Sequence, residues 1–335
     1  MSLHRKYYCY ARICGALAHA HLGARASTLA RSGRLVDLWT RIFPEEPVRL
    51  PETLLVAAAE LRIRSDSLRS FLRIVGSTAA KTEFFRALLR KPEYEYLKLL
   101  LSALREGRAR PPDPGFFPHA PDFRLERYPE PSGMFGRGRF AWIADEGFPD
   151  LAAARNRLDC QYYTELWASL ATVSPGYRGS LPELVADDIE IENLLWALRL
   201  RRYYALPTED ITRRLVRIRG PDLQSVAQSA LKLRMDQRGD WDGWRWESCL
   251  NPAGGGSESW LLDCLHFEKS LLRQRYRDLK RSLHLEPFTF APLYCFFRIG
   301  EYETAALFGI VEGLRFGAET AEIAEYVLGL TEASA

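Results

Sequence analysis

The sequence predicts an all-α protein, and three observations carry that reading. Apolar residues recur with a helical period almost everywhere, sustained strand-like alternation is absent, and the periodic stretches are bounded by helix start and stop signals. Along the chain, Leu68, Phe71, Leu72 and Val75 fall at i, i+3, i+4 and i+7. Leu158, Tyr162, Leu166 and Leu170 form a stripe with a four-residue step, flanked by Tyr163 and Trp167. Ile191, Leu194, Leu195 and Leu198 repeat the first pattern, as do Leu307, Ile310, Val311 and Leu314, and Ile323, Tyr326, Val327 and Leu330. Each set lines one face of a helix, because side chains three and four residues apart stand above one another.

The boundaries agree. Ser180-Leu-Pro-Glu183 has the form of a capping box, with proline in the first turn where a missing N–H costs nothing. Thr208 before Glu209-Asp210-Ile211, and Thr320 before Ala321-Glu322-Ile323, read as N-caps with acidic first turns. Gly317 reads as the stop of a helix running from near Glu301.

Two stretches lack the period. Arg110 to Pro149 holds eight of the nineteen prolines, and is expected to be an extended arm over the body or a mobile insertion. Asp236 to Ser259 holds Trp241, Trp244, Trp246 and Gly254-Gly255-Gly256; the tryptophans suit core packing or an interface anchor. The expected organisation is a first helical lobe at 1–109, an insert at 110–145, a second lobe at 146–235, a loop at 236–257 and a third lobe at 258–335. The lobes show a faint repeat: Glu95 to Arg105, Glu190 to Arg199 and Glu301 to Ile310 each set an acidic start before an apolar helix. Thr208 and Thr320, with the isoleucine three residues after each, lie 112 residues apart.

Composition bounds the function. At 47% hydrophobic and 27% charged residues, the chain is neither disordered nor collagen-like. A net charge of +3 does not by itself point to nucleic acid, although 39 of the 46 basic residues are arginine. The longest apolar runs, 13–24 and 287–297, fall short of the roughly 18–20 residues a bilayer crossing needs. Arg5, Lys6 and Ala24-Arg25-Ala26 sketch a signal peptide, but Arg12, His19 and His21 interrupt its apolar region, so none is expected. Six scattered cysteines without metal-ligand spacing read as buried thiols of a reducing compartment.

Motifs for chemistry are lacking. No phosphate-binding glycine loop follows a strand, so no nucleotide is expected on the chain, and no cofactor. His19 and His21 would point about 200° apart on a helix, unlike a metal pair. Asp240-Trp-Asp242-Gly243 lacks the later ligands of a calcium loop. Paired acids such as Asp187-Asp188 read as helix starts before they read as an acid/base couple. Charge is segregated, however: residues 1–73 carry 12 basic and 6 acidic groups, residues 286–335 carry 2 and 8. Arginine-rich stretches at 199–219 and 269–281 leave an Arg-rich helical nucleic-acid binder as an alternative, and a carboxylate enzyme as another. The acidic end favours protein partners with complementary patches.

One set of motifs is more specific. Leu158-Asp159-Cys-Gln-Tyr162-Tyr163, followed by Glu190-Ile-Glu192-Asn193-Leu-Leu-Trp-Ala-Leu198-Arg199, resembles the central signature of the C/d family of V- and A-type rotary ATPase subunits. Pro292-Leu-Tyr, Gly300-Glu301-Tyr-Glu303, Ile310, Gly313, Gly317 and Ile323 resemble its closing helices, and Tyr10-Ala11-Arg12 its opening one. Two positions depart from the family pattern. Ala306-Leu307-Phe308 stands where an Asn and an Arg are common, and Cys14 where a second basic residue is.

The resemblance implies a funnel-like, pseudo-three-fold body of three helical lobes with no active site. It implies a place between the central axle (subunits D and F) and the membrane rotor ring of proteolipid subunits, peripheral on the cytoplasmic face, passing torque between ATP chemistry and H+ or Na+ translocation. On that basis Glu190, Glu192, Glu301 and Glu303 are expected at partner interfaces, and Asp159, Asn193 and Arg199 as braces within or between lobes. Nucleic acid is not an expected partner.

Overall fold

The computed structural model describes residues 3–46, 50–78, 82–146, 148–252 and 260–331, and every regular element among them is helical. In chain order these are α1 (Leu3–His19), α2 (Ala24–Ala30), α3 (Leu35–Ile42), α4 (Glu52–Thr78), α5 (Glu83–Leu88), α6 (Lys91–Arg105), α7 (Pro131–Phe135) and α8 (Ala141–Glu146). They continue with α9 (Leu151–Ser169), α10 (Pro175–Arg178), α11 (Leu181–Tyr204), α12 (Thr208–Arg214), α13 (Ser225–Lys232), α14 (Cys264–Leu285), α15 (Ala291–Arg315) and α16 (Thr320–Gly329). The all-α expectation holds. Gly254 to Gly256 lie outside the described residues.

The chain packs as two compact units. One is drawn from Met1–Ala80, Pro175–Leu184 and Leu231–Ala335, the other from Lys81–Ser174 and Val185–Ala230. In the first, α15 packs along α4 and α14, with Phe71 of α4 against Phe296 and Phe297 of α15. A buried cluster joins α2 and α3 (Leu29, Leu38, Trp39) to α15 and α16 (Ile310, Val311, Val327). Gly313 permits the close approach of α16, since a Cβ there would stand 2.6 Å from Cγ1 of Ile323. α15 starts at Ala291, ten residues before the expected start, with proline in its first turn. It stops as expected at Gly317, whose left-handed φ of 66° lets the Ala318 N–H reach the Gly313 carbonyl at 2.9 Å.

Within the described part of the tryptophan loop, Trp241 is packed into this unit's interior. Trp241 is fully buried, donates from Nε1 to the Arg234 carbonyl at 2.7 Å and meets Trp244 edge-on, which in turn lies against Phe267 of α14. The two aspartates beside it are paired with arginine, Asp240 with Arg234 at 2.8 Å and Asp242 with Arg238 at 3.1 Å.

In the second unit the described part of the proline-rich stretch is packed against α6 through single aromatic side chains. Phe123, Phe135 and Phe140 are buried, Tyr96 stacks on Phe123, and Phe140 meets Tyr94. Polar bonds fasten the same segment: the Tyr96 hydroxyl donates to the Pro112 carbonyl at 2.9 Å, and the Asp122 N–H to Glu93 at 2.7 Å. Arg139 links Asp122 and Glu165, each at 2.5 Å. Hydrophobic period is absent here because the stretch enters the core through isolated aromatics rather than through a helix face.

The caps differ in detail from the sequence reading. α11 starts at Leu181, but the Ser180 N–H is taken at 2.7 Å by Glu286 from far along the chain, so the expected box is not the one formed. Thr208 and Thr320 are first helical residues behind Pro207 and Glu319, and neither helix has a side-chain cap. Side-chain caps instead come from Thr82, Asp150 and Asp263.

Gly313→Ala is expected to cost about 2 kcal/mol through overpacking against Ile323, read as a lower urea midpoint with unchanged helix content. Gly313→Ser should cost at least as much.

Candidate functional site

The residues singled out by sequence fall into two groups, one in each unit. Asp159, Glu190, Glu192, Asn193 and Arg199 belong to the second unit, on α9 and α11; Glu301 and Glu303 belong to the first, on α15.

α11 is buried nearly all round, with Ile189, Ile191, Leu194, Leu195, Ala197 and Leu198 inside, so any polar side chain on it must find partners. Asn193, 1% exposed, does so completely. Its Nδ2 donates to the carbonyls of Val216 (3.0 Å) and Leu223 (2.8 Å), and its Oδ1 accepts the Val216 N–H (2.7 Å). The segment between α12 and α13 has no helical ladder at these groups, so one amide supplies the hydrogen bonds that its backbone would otherwise lack. Gln224, also buried, adds a bond from Nε2 to the Leu215 carbonyl at 3.2 Å. Arg201 reaches the Ala230 carbonyl within α13 at 3.2 Å.

One helical position before Asn193, Glu192 is half-buried and bears electrostatically on Asp159 of α9. Asp159 pairs with Lys98 of α6 at 2.5 Å, and Lys98 also holds Glu95 at 2.9 Å. One ammonium thus holds two carboxylates, with Glu192 acting on the second of them. Burial opposes the charge on Lys98, but Glu95 and Asp159 outweigh it and the ammonium is held more firmly than usual. Burial pushes the Asp159 carboxyl up to about 6 against the pull of Lys98, with Glu192 and Glu95 adding to the rise. The neighbouring Cys160 thiol is pushed up to about 12, chiefly by burial, which leaves it protonated and unreactive. Beside the pair, Arg155 of α9 reaches the Ser102 hydroxyl of α6 at 2.5 Å. The group fastens α6 to α9 by charge.

Glu190 and Arg199 are half-buried on α11 and both have partners. In the first unit, Glu301 pairs with Arg298 one turn earlier, and Glu303 accepts the His21 N–H at 2.7 Å, closing the connection between α1 and α2. Between them the Tyr302 hydroxyl donates to the Leu272 carbonyl of α14 at 2.8 Å. None of the four singled-out glutamates is fully exposed. At the departing positions, Ala306 and Leu307 are buried, and Arg64 of α4 lies over the Phe308 ring at 5.1 Å.

Sequence reasoning did not single out Lys98, Arg155, Gln224 or Arg139. The one available signal was Lys98, one of only seven lysines in an arginine-dominated chain and set inside an apolar helical run. Among the described residues no group of three or more His, Cys, Asp or Glu side chains is placed to hold a metal ion.

Asn193→Ala leaves the buried Val216 N–H and Leu223 carbonyl without a partner and the Val216 carbonyl with only the Gln224 amide at 3.4 Å, and a loss of about 3 kcal/mol is expected, measured by urea unfolding. Asp159 has its own pH signature. Because its folded pKa lies above the ordinary value, its contribution to stability is complete below about 3.8 and is lost as pH rises towards about 6. Unfolding free energy measured across that window should therefore fall with rising pH more in the wild type than in Asp159→Asn.

A family model described as ATP synthase (C/AC39) subunit matches residues 140–326, more than half of the chain and the stretch containing every residue singled out above. A protein of Treponema pallidum (strain Nichols), described as uncharacterized, is 29% identical over 320 residues, covering 92% of each chain.

Proposed function

The chain belongs to the ATP synthase (C/AC39) subunit family, and from that premise we propose that it is the non-catalytic central-stalk subunit of a V/A-type rotary ATPase. It joins the axle of subunits D and F to the membrane ring of ion-carrying proteolipid subunits, and passes torque between ATP hydrolysis or synthesis and H+ or Na+ translocation. The family match over 140–326 is the observation that carries this reading.

Physical features support it. An element that transmits torque must resist deformation, and the bonds of Asn193 and the Lys98 group stiffen the second unit where its backbone is irregular or its helices meet. Among the described residues no helix is long and apolar enough to cross a membrane, consistent with attachment through partner subunits. The basic start and acidic end of the chain offer complementary surfaces for two unlike partners.

In this reading the body has three lobes around a pseudo-three-fold axis, at 1–109, 146–235 and 258–335, and works on the cytoplasmic face of the membrane. Glu190, Glu192, Glu301 and Glu303 stand near the partner contacts, and Asp159, Asn193 and Arg199 brace the lobes.

A tagged chain purified from its own membranes tests the interface part. Glu301→Lys with Glu303→Lys is expected to reduce recovery of D, F and the ring several-fold, while Glu303→Gln, which keeps an acceptor for His21, retains them. A charge-reversed chain that keeps its helix content and recovers all partners would remove these glutamates from the interface.

A further inference from the structure

We propose that the surface formed by α1 and the second half of α14 docks an acidic segment of a neighbouring protein in the complex; the inference rests on the family reading above and adds a partner surface to it.

Within the first unit the Tyr10 hydroxyl of α1 lies 2.6 Å from Nδ1 of His284 in α14, and the Tyr7 ring meets Phe288, in the turn just after α14, edge-on at 4.6 Å. Around this junction three large side chains stand in solvent, Tyr7 at 52%, Tyr8 at 56% and Leu285 at 69% exposure. Exposed tyrosine and leucine at one place are uncommon enough on a free surface to mark an interaction site.

The charge there has one sign. α1 carries no carboxylate, and α14 from Arg275 to Leu285 carries Asp278 alone. Arg277, Lys280, Arg281 and His284 are exposed and share one face of α14 by their three- and four-residue spacing. Arg12 lies over the Tyr8 ring at 5.6 Å, and Lys6 over Tyr177 at 4.3 Å, so aromatic and cationic groups are interleaved. Asp278 approaches Arg281 at 3.7 Å, and Glu286 is occupied by Ser180 at 2.7 Å. The cations therefore outnumber the acids available to them.

The occupant this surface fits is a protein segment rich in Asp or Glu with an apolar side chain to meet Leu285. Arginine forks take carboxylates in a bidentate manner, and tyrosine and arginine are the side chains that concentrate binding energy at protein interfaces. Leu285 is the strongly exposed aliphatic group among the described residues at the junction. A lipid surface needs more inserted apolar area, or a second anchor, for stable attachment.

Hydrogen–deuterium exchange on the assembled complex, compared with the free chain, tests this. Residues 4–12 and 277–285 are expected to gain protection in the complex. Tyr7→Ala with Tyr8→Ala, and separately Arg277→Glu with Lys280→Glu and Arg281→Glu, should abolish that protection and weaken retention roughly tenfold or more. Lys280→Arg should retain it. All these side chains are exposed, and circular dichroism of each variant checks that the helices persist.

A chain that stays in the complex with this face unprotected overturns the docking surface and leaves the family reading intact. A chain that enters no complex with ATPase subunits overturns both. Vesicles of phosphatidylcholine containing phosphatidylglycerol, added to the free chain, form the second arm. Protection of the same residues there, without protection in the complex, would reassign the face to lipid.

Discussion

A buried backbone without a helical ladder must find its hydrogen bonds elsewhere, and the second unit meets that constraint with one side chain. Asn193 gives both of its N–H groups and its carbonyl to the segment between α12 and α13. An apolar residue at that place would leave the Val216 N–H and the Leu223 carbonyl unpaired, each at a cost of about 1–3 kcal/mol, and the Val216 carbonyl with only the Gln224 amide at 3.4 Å. The geometry of α11 and the path of the segment that follows it are therefore set together. The same economy recurs at Glu93, which is 6% exposed and takes the Asp122 N–H from the proline-rich stretch, and at Arg275, which is 3% exposed and reaches the Leu184 carbonyl at 2.5 Å.

Charge does a different job at Lys98. Glu95 and Asp159 both contact it directly, and burial raises the proton affinity of Asp159 while the ammonium stays charged. Such a group adds little net stability over well-packed apolar residues. What it supplies is register, since the shared ammonium fixes where α9 lies along α6. In the proposed torque-passing role, fixed register would matter more than a deeper energy minimum.

The helical fold was legible because the apolar period runs over most of the chain, helices start at Leu181, Thr208 and Thr320 beside the expected boundaries although the expected caps do not form, and Gly317 ends its helix where the sequence places the stop. Asn193 was legible as a residue to watch through the family resemblance, but its partners are loop backbone within the same unit, which no side-chain pattern announces. The proline-rich stretch was not legible as an ordered layer, because Phe123, Phe135 and Phe140 enter the core singly and carry no period. Ser180 failed in an instructive way. Its expected partner is three residues on, yet Glu286 arrives from another part of the chain and takes its N–H, a choice local rules cannot foresee.

In its proposed role the chain would couple ATP chemistry to ion transport. ATP-driven ion uptake into membrane vesicles, measured alongside ATP hydrolysis, tests it directly when the chain is removed from the complex and then added back. The account predicts hydrolysis without ion uptake in its absence, and recovery of uptake on re-addition. Ion uptake that continues undiminished without the chain would contradict it.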